Sequence, residues 1–220
     1  CLLFPMVYFF GKDDLLGYGL NFRRGVWLGI VGMSLSPVLV FWGISLSTAE
    51  QSALIVAMQP TIAVLIYWFL LGRRPAPFVL GCVGLAFIGV LLVITKGQLN
   101  FSERPQVLLG NLMTFAGAAC WVVYSIEAPK LQNWDHWKVT LLTMVPGTIF
   151  TIILTLVLVS LGVVQSPVVE EVFEIGWELF YLSVVGVLFG MLAWNFGNQR
   201  IGALNSTLFV NLIPVAAFGM

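Results

Sequence analysis

The 220-residue chain is 60% hydrophobic and only 9% charged, with ten Lys and Arg against ten Asp and Glu, and its mean hydropathy is +1.00. A soluble domain has about a quarter of its residues charged, so this composition excludes a water-soluble globular protein and places the chain in lipid. The zero net charge offers no basic field to a nucleic acid, and no nucleic-acid partner is expected.

The chain opens on CLLFPMVYFF, ten apolar residues before GKDD, about half the length of a membrane span. Without an initiator Met, a basic n-region or a cleavage site this is no signal peptide. It reads as the stub of a helix. The final NLIPVAAFGM also stops in mid-run, so the expectation is an internal portion of a longer membrane protein. Between these ends, uncharged stretches cover Val26–Leu46, Ser52–Leu71, Phe78–Thr95, Val107–Ile126, Val139–Val164, Leu179–Gln199 and Ala203–Met220, each 18 to 26 residues. That length crosses a bilayer core as helix, which satisfies every backbone group internally. Barrel strands would alternate in polarity over about ten residues, and nothing here alternates. Seven helices and a stub are expected.

Alternating the connections across the membrane puts Lys12, Arg23, Arg24, Arg73, Arg74, Lys130, Lys138 and Arg200 on one side, against Lys96 and Arg104 on the other. The richer side is assigned to the cytoplasm. Cys1, Cys82 and Cys120 show no CxxC spacing and His136 is the only histidine, so neither a metal site nor another cofactor is expected.

Sliding the chain on itself by 154 residues aligns Leu28, Val31, Gly32, Gly43, Ala49, Ser52, Leu54, Val56, Pro60 and Ala63 with Leu182, Val185, Gly186, Gly197, Ala203, Ser206, Leu208, Val210, Pro214 and Ala217. Five helices separate the copies, so they cross the membrane in opposite senses. Inverted repeats are an architecture of secondary transporters, with substrate bound near the midplane.

The stretches SLSTAEQSALIVAMQPTIAVLIYWFLLGRRPAPFVLGCVGLAFIGVLLVITKG and LSVVGVLFGMLAWNFGNQRIGALNSTLFVNLIPVAAF resemble the drug/metabolite transporter superfamily, of the EamA-like type. The resemblance rests on a helix with central proline, a short cytoplasmic turn and a glycine-rich helix. It implies an all-α polytopic membrane protein of ten helices in inverted five-helix repeats. This chain would run from late helix two into helix nine, with a first repeat over 1–97 and a second over 106–220. It departs from the family pattern at Arg73, where a Glu is frequent. The resemblance also implies a bacterial inner (plasma) membrane location, and export of amino acids or related metabolites.

The residues suggest where transport is carried. Pro60 and Pro214 each remove a helical donor, freeing the carbonyls of Val56 and Val210. Each has an amide nearby, Gln59 and Asn211, so both positions are candidates for cavity lining or a hinge. Asn195 is a further amide candidate, with Asn198 one turn on. Ser34, Ser36, Asn111, Thr114 and Ser206 form the remaining polar set, Ser34 and Ser36 reading as structural hydroxyls bonded to their own helix. Trp42, Trp121, Tyr124 and Trp194 are candidates for an aromatic wall. Glu50 reads as solvated, and Glu127, beside Lys130, is the candidate for proton coupling. Glycine strips at Gly25, Gly29 and Gly32, and at Gly186, Gly190 and Gly197, allow close helix packing.

These features predict a secondary transporter for a small polar or amphipathic molecule in the lipid bilayer, working by alternating access. No nucleotide-binding motif is present, so a gradient or exchange would drive it. An intramembrane enzyme would need clustered Asp, Glu, His or Cys at membrane depth, which the sequence lacks; no enzymatic activity is expected. The alternative is a non-transporting membrane scaffold or sensor of the same fold. The oligomeric state is not encoded in any visible motif.

Overall fold

The computed structural model describes residues 17–72, 74–95, 105–166 and 168–212. All regular structure among them is helical, as an apolar environment requires. Four helices are long and apolar enough to cross a membrane: Gly19–Leu46 (α1), the helix beginning at Pro105, His136–Ser160 and Gly176–Ile201. Ala49–Ala57 (α2) and Gln59–Leu71 (α3) form a bent pair that accounts for a fifth crossing. Pro77–Thr95 (α4) is a further apolar helix. The remaining helices are Pro105–Glu127 (α5), His136–Ser160 (α6), Val169–Glu174 (α7), Gly176–Ile201 (α8) and Ala203–Leu208 (α9). The N-terminal stub and residues 213–220 of the last expected helix, Pro214 among them, lie outside the described residues.

Local chemistry sets the helix ends. Thr48 caps α2 by accepting the Gln51 amide hydrogen at 3.3 Å, and Asp135 caps α6 through the Lys138 amide at 2.9 Å. Gly72, at φ +62°, ends α3 in the left-handed conformation that glycine adopts without a Cβ clash.

Gln59-Pro60 does not kink a continuous helix. The helix stops at Met58, whose N–H reaches back to the Ile55 carbonyl at 3.0 Å, and α3 starts afresh with Pro60 in its first turn. There the missing donor has no helical partner to lose. The axes of α2 and α3 differ by 44°.

The 154-residue offset reappears in the backbone. α1 contains a π-helical segment over Gly29–Leu35, and α8 contains one over Leu182–Phe189. Adding 154 to 29–35 gives 183–189. α2 and α9 start at Ala49 and Ala203, also 154 apart. π-helix is well under 1% of ordinary structure, so its recurrence at one offset reflects a repeated backbone design.

Contacts divide the chain into two compact units that cut across the sequence repeat. One takes its described residues from Cys1–Ser34 and Glu127–Arg200, the other from Leu35–Ile126 and Ile201–Met220. In the first unit α1 packs on α6 at very close range. A Cβ at Gly29 would fall 2.3 Å from the Thr143 carbonyl oxygen, and one at Gly147 2.7 Å from the Gly29 carbonyl oxygen. In the second, Met58, Ile62 and Ala63 pack with Ala118, Val122 and Ile126 of α5 and with Ala203. The first glycine strip therefore packs at Gly25 and Gly29. In the second strip Gly197 meets open space and Gly190 only the Val185 carbonyl of its own helix, so the described residues place no partner helix on it.

Candidate functional site

The second unit holds a polar seam between α1, α2 and α5. Gly110, Asn111, Thr114 and Gly117 share one face of α5 because they recur at helical spacing. Gly43 of α1 meets that face so closely that a Cβ there would sit 2.2 Å from Thr114 Oγ1 and 2.6 Å from the Gly110 carbonyl oxygen. The Ser47 hydroxyl is 2.6 Å from Asn111 Oδ1 and 3.1 Å from Gln51 Oε1, and Asn111 Nδ2 donates to Gln51 Oε1 at 3.0 Å. Thr114 Oγ1 donates to the Gly110 carbonyl, with Ser52 Oγ 3.4 Å away. Ser36 donates across to the Gly117 carbonyl at 2.9 Å. Ser34, in the first unit, pairs with Thr151 at 2.6 Å. Both serines therefore tie separate helices together, whereas the sequence suggested bonds within their own helix.

Gln59 stands apart from this network. It is 6% exposed, at the break between α2 and α3, and its Oε1 has no hydrogen-bond partner among the described residues. Its neighbours Met58 and Ile62 belong to the apolar core formed with Ala118 and Val122 of α5. On α5, the rings of Trp121 and Tyr124 lie 5.6 Å apart, with Tyr124 fully buried and Trp121 half-buried. Trp42 and Pro60 belong to the same unit and are half-buried; Asn211 also belongs to it but is exposed in a short 3-10 turn.

The other candidates fall in the first unit. Asn195 is buried and donates through Nδ2 to Thr140 Oγ1 at 2.8 Å, while Thr140 Oγ1 donates to the His136 carbonyl at 2.7 Å. Trp194 beside it is half-buried. Glu127 ends α5 in an ion pair with Lys130, both partly exposed. Glu50, in the second unit, is exposed in the first turn of α2.

Sequence reading missed Ser47 and Gln51, which look like members of a polar turn, SLSTAEQS. Their signal was the polar face of α5, which needed matching donors and acceptors from another helix. It also missed Trp134, which the structure buries at the meeting point of three helix ends.

Membrane-length apolar helices, one broken span, two π segments and buried amides define a polytopic helical membrane protein. The model of the EamA-like transporter family matches residues 1–95 and 108–220. The chain belongs to the EamA-like transporter family. It is 34% identical over 191 residues to the uncharacterized transporter YyaM of Bacillus subtilis, covering 86% of this chain and 61% of that protein. It is 24% identical over 190 residues to a probable terminal-alkyne amino-acid exporter of Streptantibioticus cattleyicolor, covering 86% of this chain and 60% of that one. One crystal structure aligns with a TM-score of 0.63 at 18% identity, over 99% of this chain and 74% of that chain, a likeness of fold alone. The chain spans about three-fifths of the length of the curated relatives it matches.

Proposed function

We propose that this chain forms most of a secondary active transporter that exports a small polar or amphipathic metabolite, amino-acid-like or drug-like, from a bacterial cell by alternating access. The observation that carries this reading is the Gln59 amide. A buried polar group without a partner costs about 1–3 kcal/mol, and a hydrogen donated by a bound solute would offset that cost. An ammonium, amide or hydroxyl hydrogen of the solute matches Oε1. Trp121 and Tyr124 on α5 would supply apolar and aromatic contact for its carbon skeleton.

Movement would come from the repeated backbone irregularities. π segments concentrate at functional sites, and the two here recur with the sequence repeat, as inverted-repeat transporters require of paired moving parts. In this reading the two repeats occupy 1–97 and 106–220. Asn195, already bonded to Thr140, is the first unit's amide contact, and Pro214 with Asn211 is the counterpart of the Gln59-Pro60 break. Glu127, held by Lys130, is the group for proton coupling. The relative named as an amino-acid exporter favours amino-acid-like solutes.

The test is efflux of a labelled amino-acid mixture from proteoliposomes holding the full-length protein. Gln59→Ala and Asn195→Ala each lower efflux of the responding solute if the reading holds. Full efflux by both variants refutes the site.

A further inference from the structure

We infer that the end of the first unit built around Trp134 is a binding surface for anionic phospholipid headgroups of the leaflet on the Lys- and Arg-rich side of the membrane. Trp134 is 7% exposed and gathers three helix ends. From the start of α1, the Tyr18 ring stands 5.8 Å away edge-on, Asn21 Nδ2 donates to the adjoining Gln132 carbonyl at 2.8 Å, and a Cβ at Gly25 would come within 2.8 Å of the indole. From the start of α6, Lys138 Nζ lies over the ring at 5.9 Å. From the end of α8, Gln199 Nε2 donates to the Trp134 carbonyl at 3.2 Å.

This assembly concentrates charge. Arg23 and Arg24 of α1, Lys138 of α6 and Arg200 of α8 lie on these three ends. The nearby carboxylate, Asp135, is engaged in capping α6. Lys130 is ion-paired with Glu127. No carboxylate pairs with Arg23, Arg24 or Arg200 among the described residues. Among the described residues these three guanidiniums are open to an anion.

The aromatic pattern specifies a lipid as its source. Trp27 is one turn deeper than Arg23 on α1, and Phe196 one turn deeper than Arg200 on α8; both rings are exposed. α1 enters the bilayer from this end and α8 leaves at it, so each pair sets a guanidinium outermost and a ring beneath. That order matches phosphate above the upper acyl chain. Arg200 Cζ sits 4.6 Å over the Phe196 ring, which in turn meets His136 edge-on at 5.1 Å. Stacking fixes the guanidinium plane while its N–H edge remains directed to a phosphate oxygen pair.

This surface is independent of which solute crosses the membrane. The full-length protein in mild detergent is titrated with phosphatidylglycerol, phosphatidylcholine or inorganic phosphate, and bound lipid is counted by native mass spectrometry. The wild type is expected to retain phosphatidylglycerol over phosphatidylcholine, undisplaced by inorganic phosphate. R23Q/R24Q/R200Q is expected to lose retention by about tenfold or more, and R23K/R24K/R200K to fall between it and the wild type, because lysine keeps the charge but not the stacked guanidinium. Should the glutamine variant not fold, Arg200→Gln alone must weaken retention measurably. Equal retention by wild type and the glutamine variants, or no preference between the two lipids, overturns the proposal, as does competition by inorganic phosphate equal to that by phosphatidylglycerol.

Discussion

The Tyr18 hydroxyl donates at 2.9 Å to the carbonyl of Leu142, the very group that Pro146 leaves without a helical donor. Proline at position i removes the bond to the carbonyl at i−4, and Leu142 is buried, where an unpartnered carbonyl is costly. A side chain from the start of α1 thus repairs a fault inside α6. Burial raises the Tyr18 pKa above its ordinary value, keeping the hydroxyl protonated and donating.

Tyr18→Phe is therefore expected to destabilise the protein by about 1 kcal/mol, although the ring stays. In a Pro146→Ala background, where residue 146 regains its N–H, the same substitution should matter much less. Thermal unfolding of the four proteins in detergent measures this coupling. Additive effects of the two substitutions contradict the repair.

Gly43 and Gly197 occupy equivalent places in the repeat but opposite environments. A Cβ at Gly43 would strike the Thr114 hydroxyl and the α5 backbone, whereas one at Gly197 meets nothing within 4 Å among the described residues. Gly43→Ala should destabilise by roughly 2 kcal/mol or more. Gly197→Ala should be neutral or slightly stabilising, because alanine favours helix. Melting temperatures of the two single variants decide the matter.

Asn111 joins Ser47 and Gln51, so Asn111→Leu leaves the Gln51 carbonyl and the Ser47 hydroxyl with fewer partners in a buried seam. A loss of about 1–3 kcal/mol follows. Adding Gln51→Leu should recover part of it, since removing both sides of a buried polar pair is nearly neutral. A further loss in the double variant contradicts this.

The paired π segments make a prediction about dynamics. Amide hydrogens in 29–35 and 182–189 should exchange faster than those in the turns flanking them, because local opening starts where helical bonding is irregular. Hydrogen exchange with mass spectrometry on the full-length protein reads this directly. Uniform protection along both helices argues against hinges there.

Much of the fold was legible because a bilayer leaves the backbone few options. Span length, charge asymmetry between loops and the repeated Gly and Pro positions can all be read without knowing a single contact. The seam joining Ser36, Ser47, Gln51 and Asn111 was not legible, because a hydroxyl's partner depends on which helix faces it, and cross-helix pairing leaves no spacing rule in one sequence. Pro60 illustrates the middle case. Its disruption was visible, but whether it would kink a helix or begin a new one depended on Met58 turning back on Ile55. Gln59 was chosen for its place beside a proline; its unpartnered oxygen emerges only from packing.

In the proposed function the Gln59 amide is kept for a solute at the expense of stability. Replacing it with Leu, close in size and without the orphaned oxygen, separates these roles in one variant. Measured side by side, Gln59→Leu should unfold at the same or a higher temperature than the wild type while proteoliposome efflux falls by about tenfold or more, the loss of one hydrogen bond to a buried polar group. Undiminished efflux with a lowered unfolding temperature would contradict it, making Gln59 a structural residue.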